Sequence, residues 1–197
     1  MKMSTTGQEV KPRFGVIQAV TIAICAALVG VTAILSSFVT FIPGLSFFYI
    51  PLMLEPLFGS WFGPWGVIGS YIGGFIYQPF YGISPVYGFI IGLSDAYPAF
   101  MTYIGFKAFK ADPTLKSKKD WAVAFVFGSI PSLIPGALLY NLTLVPVGWY
   151  TVEWAYGAGW LLVSIQQIIA NFPWYLILQK TLSGFVTRSA LYVKGWI

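Results

Sequence analysis

The stretch Lys107-Ala-Phe-Lys-Ala-Asp-Pro-Thr-Leu-Lys-Ser-Lys-Lys119 holds five of the chain's eleven Lys and Arg residues, and its position decides how the rest is read. On either side of it, residues 14–106 and 120–179 contain no Lys or Arg, and the remaining cations fall within Lys2 to Arg13 and Lys180 to Lys194. Cytoplasmic loops retain Lys and Arg because moving a cation across a bilayer is costly, so three basic segments with no cationic competitor between them belong on the inner face. Each gap must then cross the membrane an even number of times. At about 20 residues per helical span of a roughly 30 Å hydrocarbon core, the first gap accommodates four crossings and the second two. The charge pattern therefore predicts an all-α membrane protein of six transmembrane helices. Both the N and C termini are cytoplasmic, 107–119 is a basic cytoplasmic loop, and 1–197 forms a single integral membrane domain.

Composition agrees. With 57% hydrophobic residues, 9% charged and a mean hydropathy of +0.77, the chain is far more apolar than a soluble domain, where about 25% of residues are charged. A multi-pass protein of the cell membrane follows. The net charge of +5 needs no nucleic acid to explain it, because inside-positive loops account for it. The single cysteine, Cys25, falls in the first apolar stretch and reads as a small packing residue, without a disulfide frame or a CxxC metal pair. That stretch runs past twenty residues with small residues through its middle, unlike a cleavable signal.

The crossings are expected at about 14–36, 46–57, 66–77, 84–107, 120–145 and 153–179. Pro43 and Gly44 mark a turn after the first, and Pro51 and Pro56 interrupt the short second. Phe58 to Gly66 reads as a tight inner turn, and Pro131 and Pro135 are expected to kink the fifth helix. The tail from Leu182 to Ile197 is expected as an amphipathic strip on the inner surface. Helix one carries Gly15, Ala19, Ala23 and Ala27 at four-residue spacing, with Ala26, Gly30 and Ala33 nearby. Such a strip lets another helix approach closely, either inside the bundle or as a docking face for a second membrane protein.

Helix six repeats Trp160, Ser164, Gln167 and Asn171 at steps of four, three and four, with Glu153 and Trp154 at its outer mouth. Helix four has a polar seam of Tyr87, Ser94, Asp95 and Thr102. Asp95 lies roughly 16 Å beyond Ser84 at 1.5 Å per residue, near the middle of the bilayer. An ionisable group there is costly and marks a functional candidate, unless it serves as a structural hydrogen-bonding group between helices.

The chain has no histidine, which removes His metal sites, Ser-His-Asp triads and His general bases. Of the six acidic residues, Glu9, Glu55, Asp95, Asp112, Asp120 and Glu153, only Asp95 is expected to lie deep, so no carboxylate pair is available for acid-base work. No Gly-rich phosphate loop precedes a Lys. The chain therefore reads as a non-enzyme with no catalytic residues, metal or cofactor. Its outer mouth is aromatic instead: Phe38, Phe41, Phe47, Phe48 and Tyr49; Tyr77 to Tyr87; and Trp149, Tyr150 and Trp154. Interfacial belts explain about half of these, and the excess suits a stacking pocket.

The size, the six expected helices, the Ala19, Ala23, Ala27 ladder and the turn Phe58-Gly59 with Phe62-Gly63-Pro64-Trp65-Gly66 resemble the substrate-binding S components of energy-coupling factor (ECF) vitamin transporters. The resemblance spans nearly the whole chain, through motifs of low specificity. It implies that helix one docks, through Ala19, Ala23 and Ala27, on a transmembrane coupling subunit moved by two ATPase subunits. It also implies that a small vitamin-like substrate binds near the outer surface, between helices four, five and six and the loop after helix one. The implied pocket residues are Tyr87, Asp95, Asn141, Trp149, Tyr150, Glu153, Trp154, Trp160, Ser164 and Gln167. With no Lys, Arg or His on the outer side, a neutral or cationic aromatic heterocycle is favoured over an anion. The rival readings are a self-sufficient secondary carrier or channel, in which internal repeats are common and none is evident here, and a membrane scaffold without ligand.

Overall fold

The computed structural model describes residues 15–42, 45–46, 48–131 and 135–192. The N-terminal basic segment, Phe14, the Pro43-Gly44 turn, Phe47 and Lys194 lie outside the described residues, as does the side chain of Phe41. Helix α1 (Val16–Ser37) leads through a short antiparallel hairpin, β1 (Thr40–Ile42) and β2 (Leu45–Ser46), to α2 (Pro51–Phe62) and α3 (Pro64–Tyr77). A 3-10 turn, Gln78–Tyr81, precedes α4 (Pro85–Phe109). Helix α5 (Lys118–Val123) continues as a π-helical segment, Ala124–Ser129, and α6 (Ala137–Leu144), α7 (Val152–Tyr156), α8 (Ala158–Ala170) and α9 (Phe172–Val186) follow. The described residues are predominantly helical. Two helical runs, Val16–Ser37 and Ala158–Val186, are long and apolar enough to cross a membrane.

The departures from expectation have local causes. The second helix runs Pro51–Phe62 rather than 46–57, since proline opens a helix at its first turn, where the missing N–H is spare. The inner turn expected over Phe58 to Gly66 contracts to Gly63, whose φ of 57° favours glycine, and Pro64 opens α3 directly. Helix five begins at Lys118 and turns π-helical at Ala124, where the Phe127 carbonyl accepts a hydrogen bond from the Thr102 hydroxyl at 3.4 Å. Pro135 and Gly136 are π-helical as well, while residues 132–134 lie outside the described set. Helix six is divided at Gly157 and at Asn171, just before Pro173, whose absent N–H interrupts the ladder. It also extends to Val186, so the tail expected as a surface strip from Leu182 is helical at its start.

Glycines set the spacing and direction of the first four helices. A Cβ on Gly69 would overlap Cys25 and one on Gly73 would overlap Val29, a register in which α1 and α3 run the same way. A Cβ on Gly74 would overlap Asp95; one on Gly88 would press on Gln78, just past the end of α3, and one on Gly92 on Tyr71, further back along it, so α3 and α4 run in opposite directions. Gly59 lies against the Ala99 carbonyl and Gly66 against that of Phe58. Successive helices thus alternate in direction, with α2 and α4 parallel. Ala26 and Ala33 are buried in the α1–α3 seam, whereas Ala19, Ala23 and Ala27 are exposed and line a shallow apolar groove with Gly30, Ile72 and Ile76.

Polarity is arranged inside out. Val16, Val20, Ile24, Leu28, Val31 and Leu35 project from α1, as do Phe89 and Leu93 from α4 and Leu161, Ile165 and Ile168 from α8. Glu55, Asp95, Asn141, Gln166, Gln167, Asn171 and Gln179 are buried. An apolar surface this extensive is unusual for a soluble monomer and fits contact with lipid.

Two basic segments meet at one end of the bundle. Lys180 Nζ donates to the Leu115 carbonyl at 3.0 Å, and Lys119 Nζ reaches the Phe109 and Lys110 carbonyls at the C-terminus of α4, at 3.0 and 3.2 Å. Cations suit that terminus, where helix carbonyls are otherwise unpaired. Beside them the fully buried Gln179 accepts from Ser60 Oγ at 2.8 Å and donates to the Pro113 carbonyl at 2.7 Å, joining α2, α9 and the loop. Ser117 and Asp120 form a reciprocal cap at the start of α5, and Asp120 also accepts from the Asp112 N–H at 3.0 Å.

Replacing Gln179 with Leu takes the donor from the Pro113 carbonyl, while the Ser60 hydroxyl keeps the Leu57 carbonyl, and should cost about 1–3 kcal/mol, read as a lower thermal unfolding temperature in detergent. The loop should also be acid-sensitive. Burial raises the Asp112 carboxyl, but hydrogen bonds from Lys116 and Thr114 outweigh that and hold it below the usual carboxylate range. Its contribution is complete above the unfolded value of about 3.9 and is lost as pH falls through the lower folded value. Hydrogen exchange at Thr114 N–H should therefore accelerate beyond the intrinsic pH trend in that acid window, and in Asp112→Asn should do so at neutral pH.

Candidate functional site

The end of α3, the start of α2 and the middle of α4 enclose a cavity remote from the basic loop. Tyr49 precedes α2; Tyr77 closes α3; Gln78 and Tyr81 belong to the 3-10 turn; Ser94, Asp95 and Pro98 come from α4. Tyr140 and Leu144 of α6, Trp149 of the following loop, and Val163, Gln166 and Gln167 of α8 complete the far wall, with Ser46 of β2 above. The enclosed space is about 40 Å³, room for roughly three waters.

Its walls are held by a chain of polar contacts. Tyr49 donates to the Tyr77 hydroxyl at 2.6 Å, and Tyr77 donates to Asp95 Oδ2 at 2.9 Å. Asp95 lies about 15 Å along α4 from Pro85, where the missing side chain of Gly74 makes room for its carboxylate. Tyr81 donates to the Ala33 carbonyl at 3.1 Å and stands edge-on to Tyr77 at 5.6 Å and to Trp149 at 6.4 Å. Edge-to-face rings of this kind favour a rigid aromatic wall. The hairpin is fastened over the site by the Gln166 amide, which donates to the Ser46 carbonyl, and by Ile50 N–H, which donates to Ser36 Oγ at 3.0 Å.

Of the residues expected at a pocket, the structure brings Asp95, Trp149 and Gln167 together around this cavity. Tyr87, Tyr150 and Trp154 pack instead in an adjoining apolar cluster with Ile83, Ile91 and Leu144. Asn141 is fully buried in α6 outside the cavity lining, and both its amide atoms lack partners. Glu153 is exposed in the first turn of α7, capped by Thr151. Trp160 faces outward at 36% exposure and Ser164 is half-buried, because the inner face of α8 runs through Val163, Gln166 and Gln167. Thr102 lies below the cavity and bonds within the bundle to the Pro98 carbonyl at 2.8 Å.

Sequence reasoning missed Tyr49 and Tyr77 as a hydrogen-bonded pair, Gln78, Gln166, and above all Glu55. Asp95 is not the only deep carboxyl: Glu55 is fully buried and neither oxygen has a hydrogen-bond partner. Beginning the second helix at 46 rather than Pro51 placed Glu55 near its end. The proline-first rule puts it in the second turn and was the available signal.

The arrangement turns tyrosine edges, the Gln167 amide and one carboxylate toward the same small space. Among the described residues, no group of three or more Cys, Asp or Glu is placed to hold a metal ion. Comparison with protein-family models, with curated proteins and with solved structures finds no match to the chain.

Proposed function

We propose that this chain is the substrate-capture subunit, or S component, of an ATP-driven ECF importer, seated in the cell membrane by six transmembrane helices with both termini inside. The carrying observation is the aromatic and polar cavity of Tyr49, Tyr77, Tyr81, Asp95, Trp149 and Gln167, set at the end of the bundle away from the basic loop. It is bounded by α4, α6, α8 and the segment after α1, the neighbourhood that the family resemblance implies for substrate. A small vitamin-like molecule, a neutral or cationic aromatic heterocycle, is the substrate class. The cavity is smaller than such a ring, so binding requires its walls to move apart. The exposed Ala19, Ala23 and Ala27 face supports docking on a transmembrane coupling subunit, served by two ATPase subunits. A self-sufficient carrier is the second reading, favoured by the two buried carboxyls, Glu55 and Asp95.

Purified protein in detergent, screened by thermal shift and tryptophan fluorescence against B vitamins, nucleobases and their precursors, should bind one compound without ATP. A ligand at 100 times its dissociation constant should add roughly 2.7 kcal/mol of stability. Gln167→Leu removes a cavity-facing acceptor and should weaken that ligand about tenfold. Silence across the panel from folded protein would defeat the proposal. In a transport assay, Ala23→Leu should leave ligand affinity unchanged and abolish uptake supported by the coupling and ATPase subunits. Uptake by the chain alone in proteoliposomes would establish the carrier instead.

A further inference from the structure

Glu55 is left without a role by the cavity as described. Its position follows from backbone contact: Gly59 and Ala99 touch where α2 and α4 run parallel, and one turn back on each helix stand Glu55 and Asp95. The two carboxyls are near enough to act on each other electrostatically. Leu52, three residues before Glu55 on the same face of α2, lines the cavity. Glu55 thus lies under the cavity floor, beside Asp95.

The titratable groups facing this pair are Tyr49 ahead of α2, Tyr77 at the end of α3, Tyr81 in the 3-10 turn and Tyr140 on α6, and none of them brings a positive charge. Residues 14–106 and 120–179 contain no Lys or Arg, and the chain has no His. Two buried carboxyls without a cation are a costly arrangement at low dielectric. A second observation comes from across the cavity. Gln167, 3% exposed on α8, lines it with an Oε1 that has no donor. Gln167 Oε1, which lines the cavity, and both Glu55 oxygens beneath it are buried acceptors without partners.

Building on the capture-subunit reading, we propose that Glu55 and Asp95 together form the counter-charge of the pocket, which takes a ligand carrying a positively charged, N–H-bearing nitrogen on a flat group. The nitrogen donates to Asp95 and Gln167. Glu55 contributes from behind Asp95 as a positioning residue, through its field. Tyr77, itself anchored by Tyr49, fixes the Asp95 carboxylate for that contact.

The test uses the full chain in detergent and two flat probes of the same shape and different charge, benzamidinium and benzamide, with binding read by tryptophan fluorescence in sodium and in potassium chloride. Benzamidinium should bind about tenfold tighter than benzamide. Glu55→Gln should erase that preference and leave benzamide affinity and the unfolding temperature close to wild type, and Asp95→Asn should erase the preference as well. Glu55→Asp, which keeps the charge, should retain the preference and serves if the Gln variant fails to fold. Equal affinities, a preference that survives Glu55→Gln, or failure of both probes to bind would overturn the proposal. So would stabilisation by sodium over potassium without any preference for benzamidinium, which marks an inorganic-cation site. A charge preference without uptake in the presence of the coupling and ATPase subunits would sink the capture reading and leave the subsite standing. Capture of a neutral vitamin without charge preference would do the reverse.

Discussion

Backbone-to-backbone approach at glycine is the constraint on which the rest of the structure depends. At Gly59, Gly66, Gly69, Gly73 and Gly74 a single added carbon would overlap the neighbouring helix, so these positions fix both how close α1 to α4 lie and in which register. Lipid tails are as apolar as leucine, and helices in a bilayer gain little by hiding apolar side chains from them. Close van der Waals contact takes over that role. The same contacts place the chemistry: Gly74 makes the space that the Asp95 carboxylate occupies, and the Gly59–Ala99 contact brings Glu55 to its side.

Once the helices are held by small residues, their polar side chains can turn inward. Ser60, Trp61, Gln179 and Ser183 satisfy one another near the basic end, where Trp61 Nε1 donates to Ser183 Oγ at 2.6 Å. Toward the other end the polar residues enclose a space instead of filling it, and several remain unsatisfied. A satisfied network rigidifies, whereas buried groups without partners cost free energy unless something joins them. The bundle is thus closed and well bonded where its lysines gather, and open to further bonding where its tyrosines gather.

Division of α8 from α9, and of α7 from α8, belongs to the same design. Helix breaks in an apolar bundle are tolerated where neighbours or a cavity can take up the freed carbonyls. Gly157 and Asn171 bracket α8, the helix that carries Gln166 and Gln167 to the cavity. Gln166 then ties that helix to the hairpin after α1 through the Ser46 carbonyl, so that segments distant in sequence form one wall.

Much of this was written in the chain. The segregation of Lys and Arg into three segments predicted helices that alternate in direction, and α1 to α4 do alternate. Proline and glycine positions located most helix ends to within a few residues; the larger shifts are in α2, which Pro51 opens at its first turn, and at the end of α9, which runs on to Val186. The four-residue spacing of Ala19, Ala23 and Ala27 marked a face of close approach, open between the bundle interior and a docking surface, and the structure exposes it; the depth of Asp95 marked a buried carboxyl. Such features are local: charge, periodicity and turn chemistry act over a helix turn or a loop. The cavity itself was not legible in that way. Asp95, Trp149 and Gln167 were singled out, yet Trp160, Ser164, Tyr150 and Glu153 were equally plausible by spacing and point elsewhere, because the rotation of α7 and α8 is set by what they pack against. Sequence alone determined that the chain is largely helical and that its Lys and Arg gather in three short segments, since those follow from the cost of moving charge and backbone out of water. Only the tertiary structure decided that Glu55 stands beside Asp95, because that depends on a glycine meeting a carbonyl forty residues away.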